Sequence, residues 1–289
     1  MIAGEGKRGA AGVVAELGIH VLLLGAVAFA IYPILWVVSL ALSPGDAPEA
    51  SILPIPTAPS LRHFEAVVST TSNEGVWLFG RQLANSLIIA IATSLTAIAI
   101  ATPAAYALAR FDFVGARAST RALLASQMFP GVAAAIPLYL LLNSLSLLDT
   151  RTGLVLVYAT SAVPFAIFQL RSAFEGIPKD LEEAAMVDGA TRFGAFVRVV
   201  LPAARPALAI TALFAFMTAW NEFILAATFL SSEDMYTLPI VLQRYMGEYD
   251  AQWGAFAAGS IIVSVPVMAL FYALQRNLVG GLTSGGVKG

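Results

Sequence analysis

The sequence predicts an all-α polytopic membrane protein with six transmembrane helices, and three observations carry that prediction. Hydrophobic residues fill 58% of the 289 positions and charged residues only 12%. Mean hydropathy is +0.81, well above what a water-soluble domain of this length shows. Six apolar runs, near 17–42, 83–109, 122–148, 152–170, 206–230 and 253–274, are each long enough to cross about 30 Å of hydrocarbon as a helix of roughly 20 residues.

Taken in order, the first run holds Ala28, Phe29 and Ala30, which imitate a signal-peptidase site. It continues through Leu42, too long for a signal-peptide core, so an uncleaved first helix is expected. Pro44 to Pro59 contains five prolines and reads as an extended loop. The later runs are free of charge except at Glu222 in the fifth. Pro33, Pro103, Pro130, Pro137, Pro164 and Pro266 lie inside spans, where each removes a backbone hydrogen bond and can kink its helix, as in a cavity-forming bundle.

Orientation follows from the positive charges, which are retained on the cytoplasmic side during insertion. With the N-terminus inside, the inner segments hold twelve of the sixteen Lys and Arg residues, and only Arg62, Arg81, Arg151 and Arg244 lie outside. Both termini are therefore expected in the cytoplasm.

Composition also excludes functions. A net charge of −2 without a basic stripe argues against nucleic acid. No cysteine is present, so there is no thiolate chemistry, and His20 and His63 are too far apart in sequence to suggest a metal site. There is no G-x-x-x-x-G-K-[ST] phosphate loop, so a cofactor such as ATP is not expected on this chain. The polar residues of the spans, Asn85, Gln127, Asn143, Gln169, Asn221 and Glu222, are isolated and form no catalytic constellation. With no repeat and no linker, residues 1–289 read as one membrane domain.

The longest stretch of mixed polarity is "EEAAMVDGATRFGAFVRVVLP" from Glu182 to Pro202. Asp180 with Glu183 three residues on predicts a capped helix starting at Asp180, running to about Asp188 and ending at Gly189. A second helix is predicted from near Thr191, with Phe193, Phe196, Val197, Val200 and Leu201 on one apolar stripe and Arg192, Arg198 and Arg205 elsewhere. Pro202 is expected to end it. Periodicity alone leaves two readings open: an amphipathic hairpin on the membrane surface, or a docking element.

Glu183, Ala184, Ala185, then Gly189, then Val199, Leu201 and Pro202 resemble the EAA loop of ABC importer permeases, with Val199 where the family has Ile. "QMFP" at Gln127, "AWNEF" at Ala219, "YTLP" at Tyr236 and the terminal "GLTSGGVKG" are similar to segments of the maltose-type sugar permeases. The resemblance implies a type I importer permease fold in a prokaryotic cell membrane, with a core about 79–275 and a cytoplasmic coupling loop about 175–205. It implies a non-enzymatic subunit that pairs with a second, homologous permease, with two ATPase subunits that bind ATP and Mg, and with an extracytoplasmic sugar-binding protein. The cargo it implies is maltose, maltodextrin, trehalose or a similar α-glucoside.

Carried over residue by residue, the resemblance places Glu182, Glu183, Ala184, Ala185, Met186, Asp188 and Gly189 against the ATPase. Glu183 would pair with a basic group there, and Met186, Phe193 and Phe196 would be its apolar anchors. The terminal segment from Gly281 to Gly289, flexible by composition, would reach the same interface. The loop containing Gln243, Tyr245, Met246, Gly247, Glu248, Tyr249 and Asp250 would enter the binding protein's cleft. Trp220, Asn221 and Glu222 are candidates for the sugar pathway, with a structural hydrogen bond between helices as the equal alternative for Glu222. Two rival classes, a polytopic membrane enzyme and a self-sufficient secondary transporter, find no paired catalytic groups and no charged midplane site beyond Glu222.

Overall fold

The computed structural model of the chain describes residues 10–45, 53–56, 58–247 and 251–285. Helix α1 (Ala10–Leu42) is followed by the short α2 (Arg62–Val68) and by α3 (Leu78–Arg110). Next come α4 (Ala116–Met128), α5 (Ala135–Ser144) and α6 (Arg151–Glu175). The hairpin contains α7 (Asp180–Val187), α8 (Arg192–Ala195), a π turn over Phe196–Val200 and α9 (Leu201–Ala203). The chain continues through α10 (Arg205–Trp220), α11 (Ile224–Phe229), α12 (Leu238–Arg244) and α13 (Trp253–Gly285).

Four helical stretches, Glu16–Leu42, Leu78–Arg110, Arg151–Glu175 and Trp253–Gln275, are long and apolar enough to span a membrane; two bent pairs bring the number to six if each counts as one span. The bent pairs correct the expectation of six continuous runs. The run at 122–148 is cut between α4 and the segment Gly131–Ser144, which meet at 93°. Pro130 is the cause: Phe129 before it is extended at ψ 126°, as the proline ring demands of its predecessor. The run at 206–230 stops at Trp220 and restarts at Ile224, leaving Asn221–Phe223 outside helix. A second bend of 74° falls at Ala204, between Pro202 and Pro206. Pro202 thus does not end the second helix of the hairpin, which passes through it for one more residue. The π turn just before Pro202, with Leu201 N–H donating to Phe196 O, is the kind of local rewinding that a missing N–H provokes.

By their own contacts the residues form two units, Met1–Val68 with Tyr245–Ile262 and Ser69–Arg244 with Val263–Gly289. In the first, α1 presents its side chains outward along most of its length, Leu22 and Phe29 being 71% and 84% exposed. The segment after it folds back through Ser60 N–H to Leu42 O at 2.8 Å and Arg62 Nη1 to Pro44 O at 2.6 Å. The buried His63 donates from Nε2 to Gly45 O at 3.2 Å and lies against Gly254, where any side chain would collide with its ring. Much of the proline loop expected at 44–59, namely 46–52 and 57, lies outside the described residues.

The core of the second unit is built where α3, α6 and α10 cross, and small residues make the crossing possible. Ala97, Ala162 and Ala215 are buried together, and Ser94 Oγ donates to Ala212 O at 2.8 Å across α3 and α10. In a bilayer, where burial of apolar surface gives helices little reason to associate, such close approach and interhelical bonding hold the bundle. Toward Arg110, Ala101, Ala105, Ala166 and Leu170 continue the seam to Tyr106, Phe174, Phe196 and Val200. The helix α13 runs to Gly285, so the first part of the terminal segment, expected to be flexible, is helical; residues 286–289 lie outside the described ones.

Candidate functional site

At the Arg110 end of α3 the segment from Lys179 to Val200 forms the helix, glycine turn and helix that the pattern predicts, with one correction. Asp180 is the first residue of α7 rather than its cap, and no side chain caps this end; Lys179 holds the cap position. Asp180, Glu182 and Glu183 all fall in the first turn, where carboxylates favour the positive end of the helix dipole. Gly189 ends α7 at φ +91°, Ala190 N–H donating to Ala185 O and Gly189 N–H to Met186 O, the paired bonds that a left-handed residue permits at a helix end. Thr191 caps α8 by accepting from Gly194 N–H at 3.0 Å.

The residues predicted to face an ATPase divide into two sets. Glu183, Ala184, Asp188, Gly189 and Phe193 are exposed, with Ala185 and Met186 half-buried. Val187 and Phe193 stand out at 88% and 74% exposure. Glu182 and Phe196, by contrast, turn inward at 6% and 8%. Glu182 Oε1 accepts from Arg110 Nε at 2.5 Å, and its Oε2 accepts from Tyr106 Oη at 2.7 Å. Arg110 Nη2 donates in turn to Ile177 O at 2.8 Å. Phe196 packs on Tyr106 with ring centroids 4.3 Å apart. The predicted single stripe is therefore split: Phe196 and Val200 are core, while Phe193 and Val197 are exposed. Packing is the physical reason: Phe196 lies against the rings of Tyr106 and Phe174, whereas Phe193, a turn earlier on α8, projects outward. A cleft of about 200 Å³ opens beside this network, lined by Lys179, Glu183, Met186 and Arg192 among others.

The three pathway candidates also separate. Trp220 is 2% exposed and stacked on Phe216 at 5.4 Å, Asn221 is exposed, and Glu222 is half-buried. Glu222 holds the helix break: Oε1 accepts from Leu225 N–H at 2.9 Å and Oε2 from Ala226 N–H at 3.0 Å, while Tyr158 Oη donates to Oε2 at 2.8 Å. This carboxylate thus satisfies backbone donors freed where α11 starts and ties the break to α6, which answers how a charge tolerates the span.

At the opposite end of α3 a second polar network pins the loop 231–236. Asn85 donates to Asp234 O at 2.8 Å and Tyr236 O at 3.1 Å and accepts from Arg151 Nε at 2.8 Å. Arg81 pairs with Asp234 at 3.1 Å and Arg244 with Glu233 at 2.7 Å, and the Arg244 guanidinium lies over the Tyr236 ring. Asp149 accepts from Ser231 N–H, Ser232 N–H and Ser232 Oγ. Burial pushes its carboxyl upward, but these hydrogen bonds outweigh burial and hold it below the usual 3.8. Of the four arginines expected on the outer side, Arg81, Arg151 and Arg244 gather around this loop, while Arg62 belongs to the other unit.

Of the predicted binding-protein loop, Gln243 is the second-last residue of α12, Gln252 N–H donates to Tyr245 O at 2.8 Å, and Met246 bridges Ala251. Glu248, Tyr249 and Asp250 lie outside the described residues. Sequence reasoning missed Tyr106, Tyr158, Arg110 and Asp149 as parts of these networks. One signal was available: a polar group in an apolar span, such as Asn85 or Glu222, must find a partner.

No group of three or more His, Asp or Glu side chains able to hold a metal occurs among the described residues. Residues 97–283 match the family model described as "Binding-protein-dependent transport system inner membrane component". The chain is 36% identical over 265 residues to the trehalose transport system permease protein SugB of Mycobacterium tuberculosis, covering 91% of this chain and 94% of that one. It is 34% identical to the maltose/maltodextrin permease MalG of Yersinia pestis (94% and 93% covered), and 36% identical to the diacetylchitobiose permease DasC of Streptomyces coelicolor (90% and 92%). In fold it is similar to a chain of a bacterial ABC transporter involved in alginate import, with a TM-score of 0.77 at 24% identity over 95% of this chain and 99% of that one. By its bent helices, its glycine-turned hairpin and these relatives, the chain belongs to the inner membrane components of binding-protein-dependent transport systems, as a multi-pass transport permease.

Proposed function

We propose that this chain is one half of the pathway of an ATP-driven carbohydrate importer. In this reading it pairs with a second, homologous permease. Sugar arrives from an extracytoplasmic binding protein, and two separate ATPases that hold ATP and Mg drive the cycle, seated on the cytoplasmic face of 180–194. The observation that carries the reading is the hairpin. It displays Val187 and Phe193 almost fully, beside Glu183 and Asp188, at one end of a membrane bundle. Exposed large apolar side chains rimmed by charge suit a soluble partner that grips a short helix in a groove. Glu183 then meets a basic group of that partner, and the Arg110 end is the cytoplasmic one. Gln243 to Asp250 are proposed to touch the binding protein, and Asn221 to line the pathway beside the Glu222 cap. Residues 79–275 act as the working core of a single permease.

The cargo class proposed is an α-glucoside such as trehalose or a maltodextrin, the sugars in the names of two of these relatives, with the diacetylchitobiose named for the third as the alternative that the test separates. The test is reconstitution in vesicles with the partner permease, the ATPases and the binding protein, which is first screened against trehalose, maltotriose and diacetylchitobiose. ATP-dependent uptake of the sugar that the binding protein selects is expected. Deleting Met246 to Tyr249 should spare ATPase assembly but impair that uptake. Proton-driven uptake by this chain alone, or purification without any ATPase in mild detergent, would overturn the reading.

A further inference from the structure

We propose that Glu182 is a positioning residue that fastens α7 to α3, so that a push on the hairpin from its exposed side moves α3 as a strut. The proposal rests on the importer reading above and names the residue through which the force enters the bundle. An eight-residue helix such as α7 is too short to hold its shape or direction unaided, so something else must fix it to the spans.

The side chains of Arg110 and Glu182 are 6% and 8% exposed. Both carboxylate oxygens of Glu182 are taken, one by Arg110 and one by Tyr106. Arg110 also grips Ile177 O in the segment just before α7. One residue of α7 and the approach to it are thus tied to the same turn of α3. Tyr106 is in turn wedged between Phe196 and Phe174, with centroids at 4.3 and 6.1 Å, so the following helix and the end of α6 join the block. Arg192 closes it over Phe111 at 5.2 Å. Separating such a pair would strand two buried charges, which strongly favours the closed arrangement.

Because Glu182 is buried, it cannot also meet a partner on the exposed face. From this block the motion has a path. α3 is joined to α10 by Ser94 to Ala212 O and by the Ala97, Ala162 and Ala215 contact, and α10 ends at the Asn221 break. The two-state element that the hairpin would bias is that break.

The experiment uses the whole complex in vesicles. The chain has no cysteine, so Asn221→Cys gives one reporter on it, labelled by a maleimide before and after adding Mg-ATP with vanadate. The parent should change its labelling rate on that addition. Glu182→Ala should keep the ATPase and its hydrolysis, while the labelling change shrinks about tenfold, within the range of allosteric couplings. Glu182→Gln, whose single amide oxygen can still accept from Arg110 while its NH2 faces Tyr106 Oη as a donor, should recover part of it, as a merely space-filling role would not.

An unaltered labelling change in Glu182→Ala would overturn the proposal and leave the importer reading standing. Loss of the ATPase from both variants would also overturn it, by making Glu182 part of the docking face. A parent that keeps its ATPase but shows no change sinks the path through α3. A parent that retains no ATPase fails at the importer reading itself.

Discussion

The two ends of α3 solve the same problem in opposite ways. At Arg110, one carboxylate of α7 is held by two side chains out of contact with solvent. At Arg81, the loop 231–236 is held by many bonds of which several are half-exposed, Arg81 and Asp234 being 53% and 45% accessible. A distributed network tolerates the loss of a member, whereas a buried pair does not, because its survivor has no water to turn to. The difference teaches where the molecule is stiff by a single link and where it is stiff by redundancy.

The sharpest way to break the comparison is Arg110→Ala. It leaves Glu182 buried without its counter-charge and should destabilise the purified chain by about 3–5 kcal/mol, read as a fall in Tm in detergent. Replacing both partners, Arg110→Met with Glu182→Met, should recover most of that loss. If the double variant is no better than the single one, the pair is not the unit of stability.

Gly189→Val should follow at roughly 1–3 kcal/mol, the strain of holding a non-glycine residue in a sparsely populated backbone region. The cost is conformational only, since a Cβ at Gly189 meets nothing within 4 Å. Gly189→Asn, which tolerates positive φ better, should therefore lose less ATPase coupling than Val. Equal coupling in both variants would mean that the turn's geometry is immaterial.

Third comes Glu222→Ala, which removes a cap on α11 and the bond from Tyr158. A loss of about 0.5–2 kcal/mol is expected, as for other helix caps, with unchanged preference among sugars. A change in which sugar is imported would return Glu222 to the pathway lining.

At the Arg81 end the effects should be smaller. The Asp149 carboxyl is held below its ordinary value in the folded state, so its contribution is fully present above the unfolded value of about 3.9. It is lost as pH falls through the lower folded value. An acid titration of stability should show this loss, and Asp149→Asn should flatten that limb of the curve. Arg81→Ala is expected to matter least, under about 1 kcal/mol in Tm measurements, as for exposed ion pairs generally. A loss as large as that of Arg110→Ala would erase the contrast between the two ends.

The membrane class and the hairpin are properties the chain carries locally. Six apolar runs, the Lys and Arg asymmetry, and the order of acidic turn, Gly189 and Thr191 are written in neighbouring residues, so burial in lipid, φ at glycine and capping follow with little help from the fold. What only tertiary structure decided is which of two adjacent glutamates faces inward. Glu182 and Glu183 have the same chemistry and the same helix; Glu182 is buried because Arg110 and Tyr106, more than seventy residues earlier, stand on its side. The same holds for Glu222, whose role was open in the sequence. A span that breaks at Asn221 frees backbone donors in the place where this carboxylate stands, and Tyr158 on another helix completes its satisfaction. Periodicity cannot see such choices, because it records which residues are apolar and not which distant polar group a buried charge will find.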